Sequence, residues 1–593
     1  MFRFAWPALV ALLSLTHLAS AAPVPVGKED KIVSLPVLAT SMVVVQLNGL
    51  EQTRNRLTKL IEAAAPKESN ELVKAIDKQL TTLLDGRDLK AIDKDGRVLL
   101  ALGDFSKLGE LSEAPLVLVL PVSDYKAFRE KFLTAEERKS FTKGKDGIDS
   151  FDVESGNTVH AVEKAGTVTF TMSKDTAEKY AGKFDPLTVK QLGTLADTFL
   201  ASDLGIYLNL SRVNDEYGQQ IQLGKQLFNQ AIQQGGTGLD KHQLEIAKVV
   251  YNGMFQAVED GKGLVIALSL PPTGVALRID MQFAPDSVSA KLMGGEKPAK
   301  LARIDDLPKG LTTYSAWSLG KGLTSAFAKL SREFHPAEDD DKALDLIASY
   351  TDLVTKADVD SIAASGEAGA SLSVTTLPEP EKAVTGLLKV MKSLTAGASV
   401  SNVMLKAKPK LTENDQKYGG FQFHLAKLEM DFEASVKGVE DENVREATIE
   451  SMKRLTPEKQ NVWFGTDGKV FLRVTGKDWD TAKKLIDGYT AKAGKVGELA
   501  AFAATRKQLP TDSSSIMIVD VAAMLATASD YLSGMAGQIP GFPAAMPKLK
   551  KATGVDPAFL GVSFTARGDT IRLDVFAPAD AVKVVRKSID ESK

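Results

Sequence analysis

One pattern occurs twice in this chain and constrains its fold more than any other feature. Arg278-Ile279-Asp280-Met281 runs into Phe283-Ala284-Pro285, and Arg572-Leu573-Asp574-Val575 runs into Phe576-Ala577-Pro578. Leu35-Pro36 opens an apolar run ending at Leu47 and Leu50, and Leu307-Pro308 opens another that includes Leu319 and Leu323. Internal self-similarity of this kind predicts one structural unit written twice.

The likeness continues between these ends. Gly166 to Met172 and Gly468 to Val474 are apolar at the same alternate positions, as the second strand of a hairpin should be. Each leads into a helix-like stretch, Asp175-Thr176-Ala177 and Asp480-Thr481-Ala482, where Asp or Thr can cap free amides. Leu116–Leu120 ends in Pro121 and Leu372–Leu377 in Pro378, each followed by an amphipathic segment. A third copy of the Leu-Pro opening, at Leu509-Pro510, with Met517, Val519 and Val521 alternating after it, suggests that each half is itself two strand-helix-hairpin units.

Turn chemistry sets the sheet type. Asp95-Gly96, Ala165-Gly166, Asp467-Gly468 and Arg567-Gly568 are two-residue glycine turns, which join antiparallel neighbours; parallel strands need a crossover. The predicted class is therefore α+β, two tandem halves of mainly antiparallel sheet with packed helices. The expected boundaries are a leader at 1–21, a first half at 22–293, a glycine-bearing linker at 294–306 and a second half at 307–593.

The leader is read as an export signal. Arg3 supplies the positive end, Ala8 to Leu15 an apolar stretch too short to span a bilayer, and Ala19-Ser20-Ala21 a small-x-small cleavage pattern. Cleavage after Ala21 would deliver a periplasmic or secreted protein. With no cysteine, disulfides, thiolate metal sites and a lipid anchor on a cysteine are excluded. No later apolar run reaches the length of a membrane span, so no transmembrane anchor is expected after signal removal. A net charge of −3 gives no basic footprint, so no nucleic-acid partner is expected.

The recurrent Leu-Pro, small polar, strand unit resembles that of uncharacterised secreted bacterial proteins grouped as domains of unknown function. The resemblance implies the architecture and carries no activity.

Chemistry-bearing motifs are near misses. His160, His242, His335 and His424 form no His-x-His or His-x-x-x-His pair, so neither a metal nor another cofactor is expected. Glu338-Asp339-Asp340-Asp341 lacks calcium-loop spacing and suits a helix start. Ser140-Phe141-Thr142-Lys143 has the Ser-x-x-Lys spacing without its partner motifs. Arg567-Gly568-Asp569 reads as a hairpin tip. Arg278/Asp280 and Arg572/Asp574 share a strand face, where each pair can form an ion pair, make cross-strand contacts, or bind an anion; the repeated context favours structure. Trp317, Trp463 and Trp479 fit a core or a surface for sugars or peptides.

No convergent catalytic set emerges, and the catalytic residues stay unassigned. The leading expectation is a non-catalytic binding or structural module with a protein, glycan or apolar ligand as partner. A carboxylate-dependent hydrolase and a carrier of an apolar ligand are the alternatives, since carboxylates need no recognisable motif. Specific activity is expected where the halves differ. The first inserts a helical segment through Tyr217, Ile221, Phe228 and Ile232. The second has a proline-broken stretch whose Met535, Ile539, Phe542 and Met546 would form an adaptable partner or ligand surface.

Overall fold

A computed structural model describes residues 34–83, 87, 91–106, 114–144, 146–154, 156–233, 241–320, 322–325, 349–350, 360–400, 403–437, 442–535 and 549–592. Residues 1–21 and the acidic run 338–341 lie outside these. Two compact units divide the chain. One is Met1–Gln222 with Ala257–Ser287 and Arg572–Asp580; the other is Leu223–Gln256, Val288–Ile571 and Ala581–Lys593.

The strands in chain order are β1 (Ser34–Leu38), β2 (Val43–Asn48), β3 (Arg97–Leu102), β4 (Leu116–Pro121), β5 (Ile148–Asp152), β6 (Thr158–Lys164), β7 (Thr167–Thr171), β8 (Pro186–Thr188), β9 (Leu204–Leu208), β10 (Gly261–Ser269) and β11 (Gly274–Phe283). Then come β12 (Thr313–Ser318), β13 (Asp360–Ser365), β14 (Ser371–Thr376), β15 (Ser399–Val400), β16 (Val403–Leu405), β17 (Lys410–Tyr418), β18 (Phe421–Asp431), β19 (Lys459–Thr466), β20 (Val470–Gly476), β21 (Ser515–Asp520), β22 (Phe559–Arg567) and β23 (Thr570–Pro578).

In the first unit the neighbours run β5–β6–β7–β4–β3–β2–β9–β10–β11, every pairing antiparallel. In the second they run β17–β18–β19–β20–β14–β13–β12–β21–β22, again antiparallel throughout. The α+β class with an antiparallel sheet thus stands. Turn residues explain part of it. Between β6 and β7, Ala165 and Gly166 both have positive φ, 50° and 74°. That conformation matches the twist of the strands it joins.

Helices pack on these sheets through alternate strand residues. Val44, Leu99, Val119 and Val265 are buried against Ala177, Tyr180, Ala196 and Phe199 of the first unit's helices. The leucines of the three similar Leu-Pro openings are buried as well: Leu35, Leu307 and Leu509 are 2 %, 0 % and 5 % exposed, so each opening places one side chain in the core. The helix caps differ from expectation. Ser173 accepts from the Thr176 amide and Asp478 from the Thr481 amide, so capping falls two residues before Asp175 and Asp480. A side-chain oxygen reaches the third amide inward only from the residue where helical geometry has not begun.

The stretch expected to link two halves is not loose throughout. Ala302–Asp306 forms a 3-10 turn whose Ile304 is fully buried. The inserted segment in the first half is a helix, Leu210–Gln233, followed by a second, Lys241–Asp260. Phe228 contacts Tyr251 and Phe255, while Leu223, Leu227, Val250, Tyr251 and Met254 stay exposed.

Candidate binding site

One face of the second sheet is built from small hydroxyl residues. β12 reads Thr-Tyr-Ser-Ala-Trp-Ser, β13 Asp-Ser-Ile-Ala-Ala-Ser and β14 Ser-Leu-Ser-Val-Thr-Thr. Alternation sends Tyr314, Ala316, Ile362, Ala364, Leu372 and Val374 into the core, where Tyr314 meets Phe502 and Phe559. The hydroxyls take the other face. Strand register then sets Val519, Thr313, Ser365, Ser371, Thr475 and Val462 in one row across six strands. The four central hydroxyls span about 14 Å at the usual strand spacing. The next row holds Met517, Ser315, Ala363, Ser373 and Arg473. Beyond it Ser361 donates to Thr375 at 3.0 Å, both buried, which closes that end.

The first sheet treats the comparable face differently. Ile279, Ile266, Ile206, Val45, Leu100 and Leu118 form a row across six strands, all aliphatic.

Above the hydroxyl row lies a cavity of about 650 Å³. Its walls come from Met391 of the helix Pro380–Ser393, from Ala523, Met524, Thr527 and Ala528 of the helix Val521–Met535, and from Leu428, Met430 and Val400. Met391, Leu428 and Met430 are buried, whereas Ser365, Arg473, Thr527 and Ala528 are exposed, so the cavity opens on one side. The helix entering its wall is capped by Asp520, which accepts from the Ala523 amide at 3.1 Å. The β13–β14 connection at its rim is tight: Gly369 has φ +70°, and a Cβ there would stand 2.3 Å from Pro457 Cδ.

Among the described residues that line the cavity, Arg473 is the one that is charged. Among the described residues neither its guanidinium nor the hydroxyls of Thr313, Ser365, Ser371 and Thr475 have a hydrogen-bond partner. Thr312 is different: its hydroxyl donates to the Ser365 carbonyl at 3.0 Å. Arg473 also acts on Tyr350, whose hydroxyl is pushed up by burial and pulled back by that charge. Alternating hydroxyls in three strands were the available sequence signal for this site. The apolar positions between them attract notice first, and the hydroxyls converge only once register is known.

The surface expected at Met535, Ile539, Phe542 and Met546 falls largely outside what the structure describes. Ile539, Phe542 and Met546 lie outside the described residues, and Met535 closes the helix Val521–Met535. The paired Arg-x-Asp motifs do meet, and they exchange partners. In the first unit Arg278 Nε donates to Asp574 Oδ1 at 2.7 Å, while Arg572 Nε and Nη2 donate to the two Asp280 oxygens at 2.7 and 3.0 Å. The Thr198 hydroxyl adds a further donor to Asp280. Both carboxylates are fully buried. Burial pushes the Asp574 carboxyl up, and the two arginines pull it back only in part. Each arginine thus meets the carboxylate of the other motif, Arg572 through two parallel bonds and Arg278 through its Nε.

Other buried carboxylates are likewise held. Asp203 accepts from Arg56 Nη1 and from the Leu270 amide, both at 2.7 Å. Glu137 takes the Arg87 guanidinium at 2.7 and 2.6 Å. Ser140, first residue of the Ser-x-x-Lys spacing, accepts from the Asp152 amide at 3.0 Å and serves a turn. His160 and His424 are both lowered by burial, and His424 stacks on Phe464; His335 lies outside the described residues. Among the described residues no group of three His, Cys, Asp or Glu could hold a metal ion, and no helix is long and apolar enough to cross a membrane. Trp463 is buried, contacts Trp479 and donates to Asp415 at 3.2 Å, so that pair packs the core.

No family model matches this chain, and no curated protein matches it. A solved structure of TP0453, in crystal form I, is similar at 11% identity over 44% of this chain and 81% of its own. Its TM-score of 0.22 supports no statement about fold or function.

Proposed function

We propose that this chain is an exported binding module without catalytic activity, and that the second unit's cavity takes a small ligand with a substantial apolar part. The composition of the cavity carries this reading. Among the described residues its lining has one cation, a row of hydroxyls and a wall of Met, Leu and Val, with no carboxylate, histidine or lysine to move a proton. General acid-base chemistry needs such a group within reach of the reacting atom. A volume near 650 Å³ falls within the usual 300–1,000 Å³ or so of small-molecule sites. The three methionines suit an occupant of variable shape, being flexible and polarizable.

Export rests on the leader, whose cleavage after Ala21 would place Ala22 at the mature terminus. The neutral dye N-phenyl-1-naphthylamine tests the binding reading on the mature protein. Its fluorescence should rise on mixing, and Ser371→Trp, which fills the middle of the floor, should abolish most of that rise while sparing the melting temperature. An unchanged signal in the variant would place dye binding elsewhere and remove the cavity from the account.

A further inference from the structure

We propose that the cavity selects amphiphiles with an anionic head, bound by Arg473 over the hydroxyl row, with the aliphatic tail along Met391, Leu428, Met430 and Met524. The inference rests on reading the cavity as a binding site and adds the class of its ligand.

Three observations converge on the head. The described lining residues carry one formal charge, the Arg473 guanidinium. That guanidinium has no hydrogen-bond or ion-pair partner among the described residues, although other cavity-side groups, such as Thr312 and the Ser361–Thr375 pair, are tied. Glu367, beside the lining residue Gly366, is already paired with Lys551. A cation with five donors beside hydroxyls that can turn to donate makes a receptor for carboxylate, sulfate or phosphate oxygens. A cationic head would meet Arg473 with no anion to offset it.

Position gives the tail. Arg473 sits one register step from the hydroxyl row, on β20. On the side of that row toward β18, Val462, Leu428 and Met430 are buried, and Met391 closes over them. Toward β21 the row ends at Val519 beneath Met524. A ligand with its head at Arg473 therefore has hydrocarbon on both flanks, and the polar floor accommodates only the head.

The test is displacement of N-phenyl-1-naphthylamine from the mature protein by decanoate, decyl sulfate, decyl phosphate, decanol and decyltrimethylammonium. The three anions should displace the dye at concentrations about tenfold or more below decanol, a preference of the size one charge-assisted hydrogen bond gives. Their ranking identifies the head. Arg473→Gln should bring decanoate to the level of decanol and leave decanol unchanged. Arg473→Lys should keep part of the preference, because charge survives and the fork does not. Both variants should melt with the wild type, since the side chain is exposed and unpaired. Equal displacement by decanol and decanoate, or a preference that survives Arg473→Gln, overturns the anionic head while leaving the cavity as a binding site. A wild type that binds no dye and none of the five amphiphiles overturns the binding reading, and this inference with it.

Discussion

The paired arginines and aspartates of this protein act through partners far away in sequence. The Arg278–Asp574 and Arg572–Asp280 bonds join positions 296 and 292 residues apart. A buried pair of this kind contributes little against a well-packed apolar substitute, but losing one partner leaves a charge stranded. Arg278→Gln should therefore destabilise by about 3–5 kcal/mol. In a double-mutant cycle by urea unfolding, Arg278 should couple strongly to Asp574 and weakly to Asp280; the reverse would restore same-strand pairing. The motif was legible in the sequence and its partner was not, because two residues on one strand face show shared orientation and say nothing of the neighbouring strand. Glu137 gives a pH test. Burial pushes its carboxyl up, but the Arg87 and Thr134 hydrogen bonds more than reverse this, so it titrates below its ordinary value of 4.5. A carboxyl lowered by folding stabilises above its unfolded pKa, and that gain fades as pH falls through the folded value. Glu137→Gln should thus cost stability at pH 7, and the gap to wild type should narrow steadily below pH about 4.5. A gap constant from pH 7 to 3 would show that the carboxylate charge contributes nothing.

At the scale of elements, local chemistry was the readable part. Glycine turns announced antiparallel hairpins at Ala165-Gly166 and Asp467-Gly468, and strand alternation announced which residues enter the core. What alternation could not show is where two strands press together. In β19, Gly465 lies against β18 so closely that a Cβ would stand 2.1 Å from the Gln422 carbonyl oxygen. Gly465→Ala should push the two strands apart and cost more than about 2 kcal/mol, within the range of overpacking in a filled interior. A chemical melt showing loss below 0.5 kcal/mol or so would mean the strands yield without strain. The hydroxyl strands β12, β13 and β14 illustrate the same limit. Each is an ordinary half-polar strand alone, and only register turns three of them into a floor. Met535, Ile539, Phe542 and Met546 are legible as an adaptable apolar stretch, a property of composition, whereas the cavity lining draws side chains from several elements and is legible only once register is known.

For the molecule as a whole, the internal repeat expected from the sequence stands as a proposal, and neighbour order speaks for it. β5–β6–β7–β4–β3–β2–β9–β10 and β18–β19–β20–β14–β13–β12–β21–β22 follow one scheme of connections. Superposition of the two runs in an experimental structure should bring β7 onto β20 and β9 onto β21, and failure to do so would end the idea. The makeup of the first unit has a further consequence, in time. Its sheet includes β11, yet the segment that neutralises Asp280 and supplies a carboxylate to Arg278 is Arg572–Asp580. During synthesis the first unit emerges early and must wait for almost the entire chain before those charges are matched. Closing so long a loop is slow, and the waiting intermediate holds a buried carboxylate without its cation. A chain stopped after Ile571 should leave the strands of residues 261–283 open to limited proteolysis, and one stopped after Asp580 should protect them. Nine residues near the C-terminus would then time the completion of a unit that begins the protein.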